Sequence, residues 1–231
     1  MSATPASAAD TGILTVLPRG RHAAPRPVVR EAQRARMLAA MVEAVAEKGY
    51  AHVAVADVIE RAGVSRKTFY EQFANKDSCF LAAYDATVDE LLAKIDQALE
   101  AIAPDWLTAH RAAVETYLDT LAASPAFAKA LLIEVLGAGP EALSRRATVQ
   151  ERFAAQLEDV HRRARHDIPE IPEVPPHTFL AAVGAVNELV TTHVLEQGAQ
   201  TLPELAGAIV DVQLALLVGR QVAAELVARA G

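Results

Sequence analysis

The amino-acid sequence predicts an all-α fold of about nine helices, with a small three-helix unit at the amino end and a larger helical body behind it. Three observations carry that expectation. The composition is 52% hydrophobic but only 5% aromatic, with alanine and leucine abundant, which favours helix. Apolar residues recur three and four positions apart in one segment after another. Neither an internal repeat nor a segment with the two-residue alternation of a half-buried strand stands out.

Residues 1–26 are rich in Ala, Pro, Ser and Gly, lack periodicity, and read as a disordered basic arm. From about Val28 to Lys48, Met37, Leu38, Met41, Val42 and Val45 fall at helical spacing, and Gly49 stops the helix. A short helix from about Val55 to Arg61 closes on Gly63, a residue free to take the left-handed conformation of a tight turn. Ser65 then caps a third helix, about Arg66 to Phe73, by offering its hydroxyl to the amides of the first turn. Val45, Val55, Val58, Val64, Phe69 and Phe73 form the small core of this unit, residues 27–76.

Residues 77–231 form the body. The fourth helix runs from about Asp77 to Ile102, with Phe80, Tyr84, Val88, Leu91, Ile95 and Leu99 as its stripe, and ends before Pro104. Asp105 and Ser124 are placed to cap the fifth and sixth helices, and Pro125 stands at a first-turn position where a missing N–H costs nothing. A long seventh helix follows "GAGPE" and extends to about His166, before the four prolines of "DIPEIPEVPPH" enforce a loop. Two helices remain, about His177 to Gln197 and Leu202 to Ala230, the second opened by the capping-box pattern Thr201-Leu202-Pro203-Glu204.

The last helix carries one apolar stripe of Leu205, Ile209, Val212, Leu216, Ala223 and Val227 and a second of Leu214, Leu217, Val218 and Leu226. A helix apolar nearly all round must be covered on both sides. One side is expected on the protein's own body and the other on a second copy, assisted by Phe179, Val183, Gly184, Val186, Val190 and Val194, giving a homodimer through the last two helices.

Charge is divided unevenly. Residues 1–76 carry 11 Lys/Arg against 7 Asp/Glu, while the remainder carries 11 against 22, so a net charge of −7 conceals a cationic amino end. That asymmetry suits a polyanion at one end and a soluble acidic body at the other. No apolar run approaches the roughly 18–20 residues of a membrane span, and the amino end lacks the pattern of a secretory signal, so a cytoplasmic location is expected. Cys79 is the lone cysteine, which leaves neither a disulfide nor a thiolate metal site. A glycine-rich phosphate loop, a His/carboxylate metal spacing and a serine elbow are all missing, so neither a cofactor nor catalysis is expected.

The stretch "AGVSRKTFYEQFANKD", residues 62–77, concentrates the chemistry. A helix, a glycine turn and a second short helix make a helix-turn-helix, whose second helix presents its first turn to the major groove of double-stranded DNA. Arg66 suits bidentate donation to guanine O6 and N7; Ser65, Thr68, Tyr70 and Lys76 suit phosphates; Lys67 suits either. Glu71 and Gln72 read cytosine or adenine if they reach the groove. Arg19, Arg21, Arg26 and Arg30 belong to a proline-stiffened stretch that is either a solvated tail or an arm for a narrow minor groove.

Residues 34–84 resemble the DNA-binding domain of the tetracycline-repressor (TetR) family of bacterial transcription regulators, through "GYAHVAVADVIERAGVSRKTFYEQF" followed by "NKDSCFLAAYD". The resemblance implies a homodimer that occupies a near-palindromic operator, usually as a repressor, and releases it when a small molecule binds the body. Three positions depart from the family pattern. Val53 and Ala54 replace a Ser or Thr cap, a loss of about 1 kcal/mol; Ile59 replaces a small alanine; and Lys67 replaces a frequent glycine.

For the effector, Trp106, His110 and Tyr117 fall at near-helical spacing on the fifth helix, with Phe127, Leu131, Phe153 and Leu157 expected opposite, enclosing an apolar cavity for an apolar or aromatic molecule. Plain core is the competing reading of the same residues. His161 and His166 do not share a helix face and are expected at the surface. The rival function is a dimeric helical module that binds ligand or protein without an operator, motivated by the missing cap and the acidic body.

Overall fold

The computed structural model describes residues 25–101 and 106–219. Among these the secondary structure is helical, in nine α-helices and three short 3₁₀ turns. The amino-terminal helices are α1 (Arg26–Lys48), α2 (Val55–Ala62) and α3 (Arg66–Tyr70); the body holds α4 (Lys76–Ala101), α5 (Trp106–Ala123), α6 (Pro125–Leu132), α7 (Pro140–Asp167), α8 (Pro176–Gln197) and α9 (Ala206–Leu217). The arm upstream of residue 25, the expected Asp105 cap and the stripe positions Ala223, Leu226 and Val227 lie outside the described residues.

Local chemistry explains the first four helices. Gly49, at φ 78°, ends α1 by donating its N–H to the Val45 carbonyl. Gly63, at φ 61°, sits in the left-handed region between α2 and α3, where any other residue would be strained. Ser65 Oγ accepts from the Thr68 amide at 3.0 Å, as the cap reading requires. The third helix is shorter than expected: after Tyr70 the chain tightens into a turn in which the Gln72 and Phe73 amides both reach the Phe69 carbonyl. Asn75 then opens α4 with a reciprocal box, its Oδ1 accepting from the Ser78 amide at 2.8 Å and its own amide donating to Ser78 Oγ at 3.2 Å.

The missing cap at Ala54 is partly replaced. Asp57 Oδ2 accepts the Ala54 amide at 2.8 Å, and its Oδ1 takes Lys48 Nζ at 2.6 Å, contacts that hold the carboxyl below its usual range. Ser124 and Thr201 correct the sequence reading in the other direction. Ser124 makes no side-chain cap bond, and the Thr201 hydroxyl meets His193 Nε2 at 2.8 Å while the chain enters α9 through a 3₁₀ turn.

Burial follows the predicted stripes in the small unit and in α4. Val45, Val58, Phe69, Phe73 and all six α4 stripe residues are buried, with Val55 and Val64 packed partly exposed against the same core. Helix α1 packs on α2, α4 and α6, so it belongs to the small unit and to the body at once. Helices α4, α5 and α7 stand side by side, and α8 and α9 close the body against α7 and α5.

Two expectations about α8 change. Phe179, Val186 and Val190, assigned to the second copy from the sequence, are buried in the protein's own core, with Val183 and Val194 half-buried beside them. The opposite face keeps Leu180 and Leu195 exposed, with half-buried Gly184 between them and nothing near the space its missing Cβ would fill. By length and composition α8 is also apolar enough to cross a bilayer, contrary to the sequence expectation, although its buried stripe engages the body instead. His161, expected at the surface, is buried, with Nε2 3.0 Å from the Leu217 carbonyl and its ring edge-on to Phe179 at 5.3 Å. His166 is exposed. Of the neighbouring cations, Arg162 pairs with Asp159, and Arg165 reaches Glu173 at 3.6 Å and the Ile171 carbonyl at 3.3 Å.

Candidate functional site

Two regions carry the candidate chemistry: the outer face of α3 and a cavity inside the body. Phe69 is fully buried and packs at a tilt against Phe73, ring centres 5.5 Å apart, which fixes α3 on the small core. The other side of the helix then faces outward. Ser65, Arg66, Lys67 and Tyr70 are exposed, and Thr68 is half-exposed with its hydroxyl 2.9 Å from that of Ser65. The Arg66 guanidinium lies 6.0 Å from the Tyr70 ring, an arrangement that holds the fork without burying it. Lys67 meets Glu71 at 3.9 Å, a pair too exposed to restrain either group.

Two sequence-predicted contacts are engaged elsewhere. Gln72 Nε2 donates to the Arg30 carbonyl at 3.2 Å, tying the end of the reading segment to α1 rather than pointing along the groove. Lys76 Nζ donates to the Tyr50 carbonyl at 2.9 Å and sits 4.1 Å from the centre of the Tyr50 ring, while the Tyr50 hydroxyl bonds Asp77. As folded, both polar groups serve the domain's interior. Arg26 and Arg30, read from the sequence as part of an extended arm, lie instead in helix α1, where Arg34 joins them. Arg26, Arg30 and Arg34 line one groove with Gln72 on the α1 side of this surface, and the Arg34 guanidinium covers Phe73 at 4.7 Å. Their positions four residues apart along one helix were the available signal.

The cavity has a volume of about 110 Å³ and is lined from α4, α5, α6, α7, α8 and α9. His110, Tyr117, Phe153, Leu131 and Leu157 line it as expected, with Tyr117 edge-on to Phe153 at 6.0 Å. Trp106 and Phe127 do not: Phe127 is buried in the core, and Trp106 packs partly exposed against it. Tyr84, Arg146 and Gln213 are lining residues that the sequence reading missed. Gln213 was visible as the one polar side chain within the apolar run "VQLALLV".

Electrostatics leave this cavity largely neutral. Burial raises the Tyr84 and Tyr117 phenols above their ordinary range, so both remain protonated. Burial pushes the His110 imidazole down to about 4, opposed by the adjacent Gln213, so it is neutral at physiological pH. Cys79 in α4 is fully buried and pushed up to about 12, which makes it an inert thiol.

A polar connection links the cavity wall to the small unit. Leu131 and Leu132 of α6 line the cavity. On the same short element Lys129 Nζ donates to the Ala46 carbonyl of α1 at 2.7 Å, and just beyond it Glu134 Oε2 accepts the Tyr50 amide at 2.8 Å. Lys129 and Glu134 stand 3.8 Å apart.

Comparison with known proteins agrees with this geometry. The profile described as "Bacterial regulatory proteins, tetR family" matches residues 37–83, from the middle of α1 into α4. The chain is 32% identical over 131 residues to the HTH-type transcriptional regulator EthR of Mycolicibacterium smegmatis, covering 57% of this chain and 59% of EthR. It is 33% identical over 90 residues to the HTH-type transcriptional activator FasR of the same organism, covering 39% of this chain and 41% of FasR. The aligned parts thus span less than two thirds of either relative. In fold it is similar to the fatty acid degradation regulator FadR of Bacillus halodurans, at a TM-score of 0.72 and 21% identity over 80% of this chain and 94% of that one. It is also similar to FadR of Bacillus subtilis, solved with stearoyl-CoA, at 0.70 and 19% identity over 80% of this chain and 98% of that one. The profile thus falls on α1 to α4, where Ser65, Gly63 and Phe69 set an outward α3, and it is over this segment, residues 37–83, that the chain is similar to the tetR family of bacterial regulatory proteins.

Proposed function

We propose that this protein is a homodimeric, ligand-responsive transcription regulator that acts in the cytoplasm, binds a near-palindromic DNA operator through α3, most simply as a repressor, and releases it when a small apolar molecule occupies the body. The observation that carries the reading is the outward face of α3. Arg66, Lys67 and Tyr70 are exposed on a helix whose other side is anchored by a fully buried phenylalanine. Arg66 then reads guanine, Ser65, Thr68, Lys67 and Tyr70 hold phosphates, and Arg26, Arg30 and Arg34 widen the cationic footprint.

Dimerisation rests on the exposed apolar face of α8 around Leu180 and Leu195 together with Leu216 of α9. On this reading the two-fold partner has to hold the two α3 helices 34–36 Å apart, roughly one turn of the duplex. Release follows from the shared elements. An occupant pressing on Leu131 and Leu132 shifts α6, and the Lys129 and Glu134 bonds carry the shift to α1; the tight Asn75 box carries any movement of α4 to the turn after α3. Coupling of about 1–3 kcal/mol lowers operator affinity roughly 5- to 150-fold. Apolar lining with few polar handles supports an apolar effector; the stearoyl-CoA bound by the similar FadR of Bacillus subtilis makes an acyl chain the first class to try.

The test is selection of bound fragments from random DNA by the purified protein across a salt series. Recovery of one near-palindromic sequence, with affinity falling steeply as salt rises, supports the reading. Equal retention of all sequences, or none at low salt, leaves the dimeric module without an operator as the better account.

A further inference from the structure

Inside the cavity two polar atoms are hidden from solvent without a hydrogen-bond partner: Nε2 of His110 on α5 and Oε1 of Gln213 on α9. The two side chains are close enough to interact but fall short of hydrogen-bond geometry, so neither satisfies the other; they are only 5% and 7% exposed as residues, and both line the cavity. Apolar Ile95, Leu99, Val160 and Ile209 line the same space. Arg146, the one cation among the described lining residues, influences Tyr84, and Tyr84 influences Tyr117. Tyr117 stands seven residues along α5 from His110, a rise of about 10 Å. Along α4 the lining runs from Tyr84 to Leu99, a rise of about 22 Å. The cavity is therefore elongated, with a cation towards one end and an uncharged, unsatisfied polar pair towards the other.

The pair restricts what can sit against it. An amide oxygen only accepts, so Gln213 Oε1 requires a donor. His110 is held neutral by burial and offers no positive charge, so a carboxylate at that end would be buried without compensation. A bare hydrocarbon end would leave both atoms orphaned, the arrangement that buried polar groups avoid. Resting on the reading of this cavity as the effector site, we infer that the effector is an elongated apolar molecule whose inner end carries a neutral hydrogen-bond donor, a hydroxyl or a primary carboxamide, seated between His110 and Gln213. The donor satisfies Gln213 Oε1, and the oxygen of the same group meets His110 when Nε2 carries the proton; the apolar chain extends towards Tyr117 and Tyr84.

The test is calorimetric titration of the full-length protein with decan-1-ol, decanamide, decanoate and decyl methyl ether, the last matching the alcohol's chain but lacking a donor. The alcohol and the amide are expected to bind at least ten-fold more tightly than the ether. His110→Phe and Gln213→Leu each abolish that preference while retaining the ether, whose binding shows that the variant cavity is still formed. Equal affinity of wild-type protein for alcohol and ether, tightest binding of decanoate, or a preference that survives both substitutions overturns the inference and leaves the cavity as an effector site. If none of the four binds, the inference and the cavity reading fall together. Selective binding of the alcohol without loss of operator affinity upholds the inference and refutes the release mechanism.

Discussion

Removing the Glu134 carboxylate separates the two roles of the connection between α6 and the small unit. The carboxylate accepts the Tyr50 amide at 2.8 Å, and its side chain is only 17% exposed, so Glu134→Ala strands a part-buried N–H just after α1. A hydrogen bond to a charged group is worth about 1.5–3 kcal/mol. The more exposed pair with Lys129 at 3.8 Å adds less, on the order of 0–1 kcal/mol. The expected cost is about 2–3 kcal/mol, a fall in Tm of roughly 4–12 °C for a chain of this size. Glu134→Gln keeps an acceptor and should recover part of that loss. The informative readout is functional. With decan-1-ol as effector probe and operator affinity measured by fluorescence anisotropy, Glu134→Ala should leave ligand-free affinity within a few-fold of wild type and reduce the ligand-induced loss at least five-fold. A variant with lowered Tm and undiminished ligand response would refute transmission through α6.

Other expectations follow from the same contacts. Arg66→Ala should cost about 1–3 kcal/mol of operator affinity and relax selectivity at one base pair, measured by competition among single-base operator variants. Lys76→Met should lower Tm while leaving the salt slope of DNA binding unchanged, because its ammonium is held by the Tyr50 carbonyl and ring; a slope reduced by about one would restore the phosphate role read from the sequence. His110, at about 4 when folded against an ordinary 6.5, binds its proton more readily in the unfolded chain. Its contribution is complete above pH 6.5 and lost as pH falls towards 4, at most about 3 kcal/mol, and denaturant titrations of His110→Phe should show a shallower decline over that window than wild type. Gly184→Phe meets open space within one chain, so sedimentation should report a folded monomer if the α8 face joins two copies, and an unchanged species if it does not.

What could be read directly from the sequence was local. Ser65 and Gly63 announce the turn into α3 because cap and left-handed glycine are short-range requirements, and the α4 stripe from Phe80 to Leu99 is buried because a single period places all six residues on one side. The contacts that the sequence did not reveal are those whose partners lie far along the chain. Gln72 answers to Arg30, 42 positions away, Lys76 to Tyr50, 26 away, and His161 to Leu217, 56 away. Helix α8 failed for a different reason: apolar on several sides, it contains no mark of which stripe meets its own body, so Phe179, Val186 and Val190 were assigned to the wrong partner. In the cavity, His110, Tyr117 and Phe153 were found through helical spacing, whereas Trp106 and Phe127 have the same character and spacing but different neighbours. Residue type alone does not separate a wall from a core. The missing Ala54 cap is partly offset by Asp57 three positions on, the half of a capping box that needs no side chain at the cap position and is visible in the sequence.

The central claim is that two copies of α3 read successive major grooves from one side of the duplex. Hydroxyl-radical footprinting of the full-length protein on its selected DNA site tests it most directly. The account predicts two protected half-sites related by a two-fold axis, centred about 10–10.5 base pairs or a whole multiple apart, with Arg66→Ala weakening both halves equally. A single protected half-site, or uniform protection that Arg66→Ala does not alter, would contradict it.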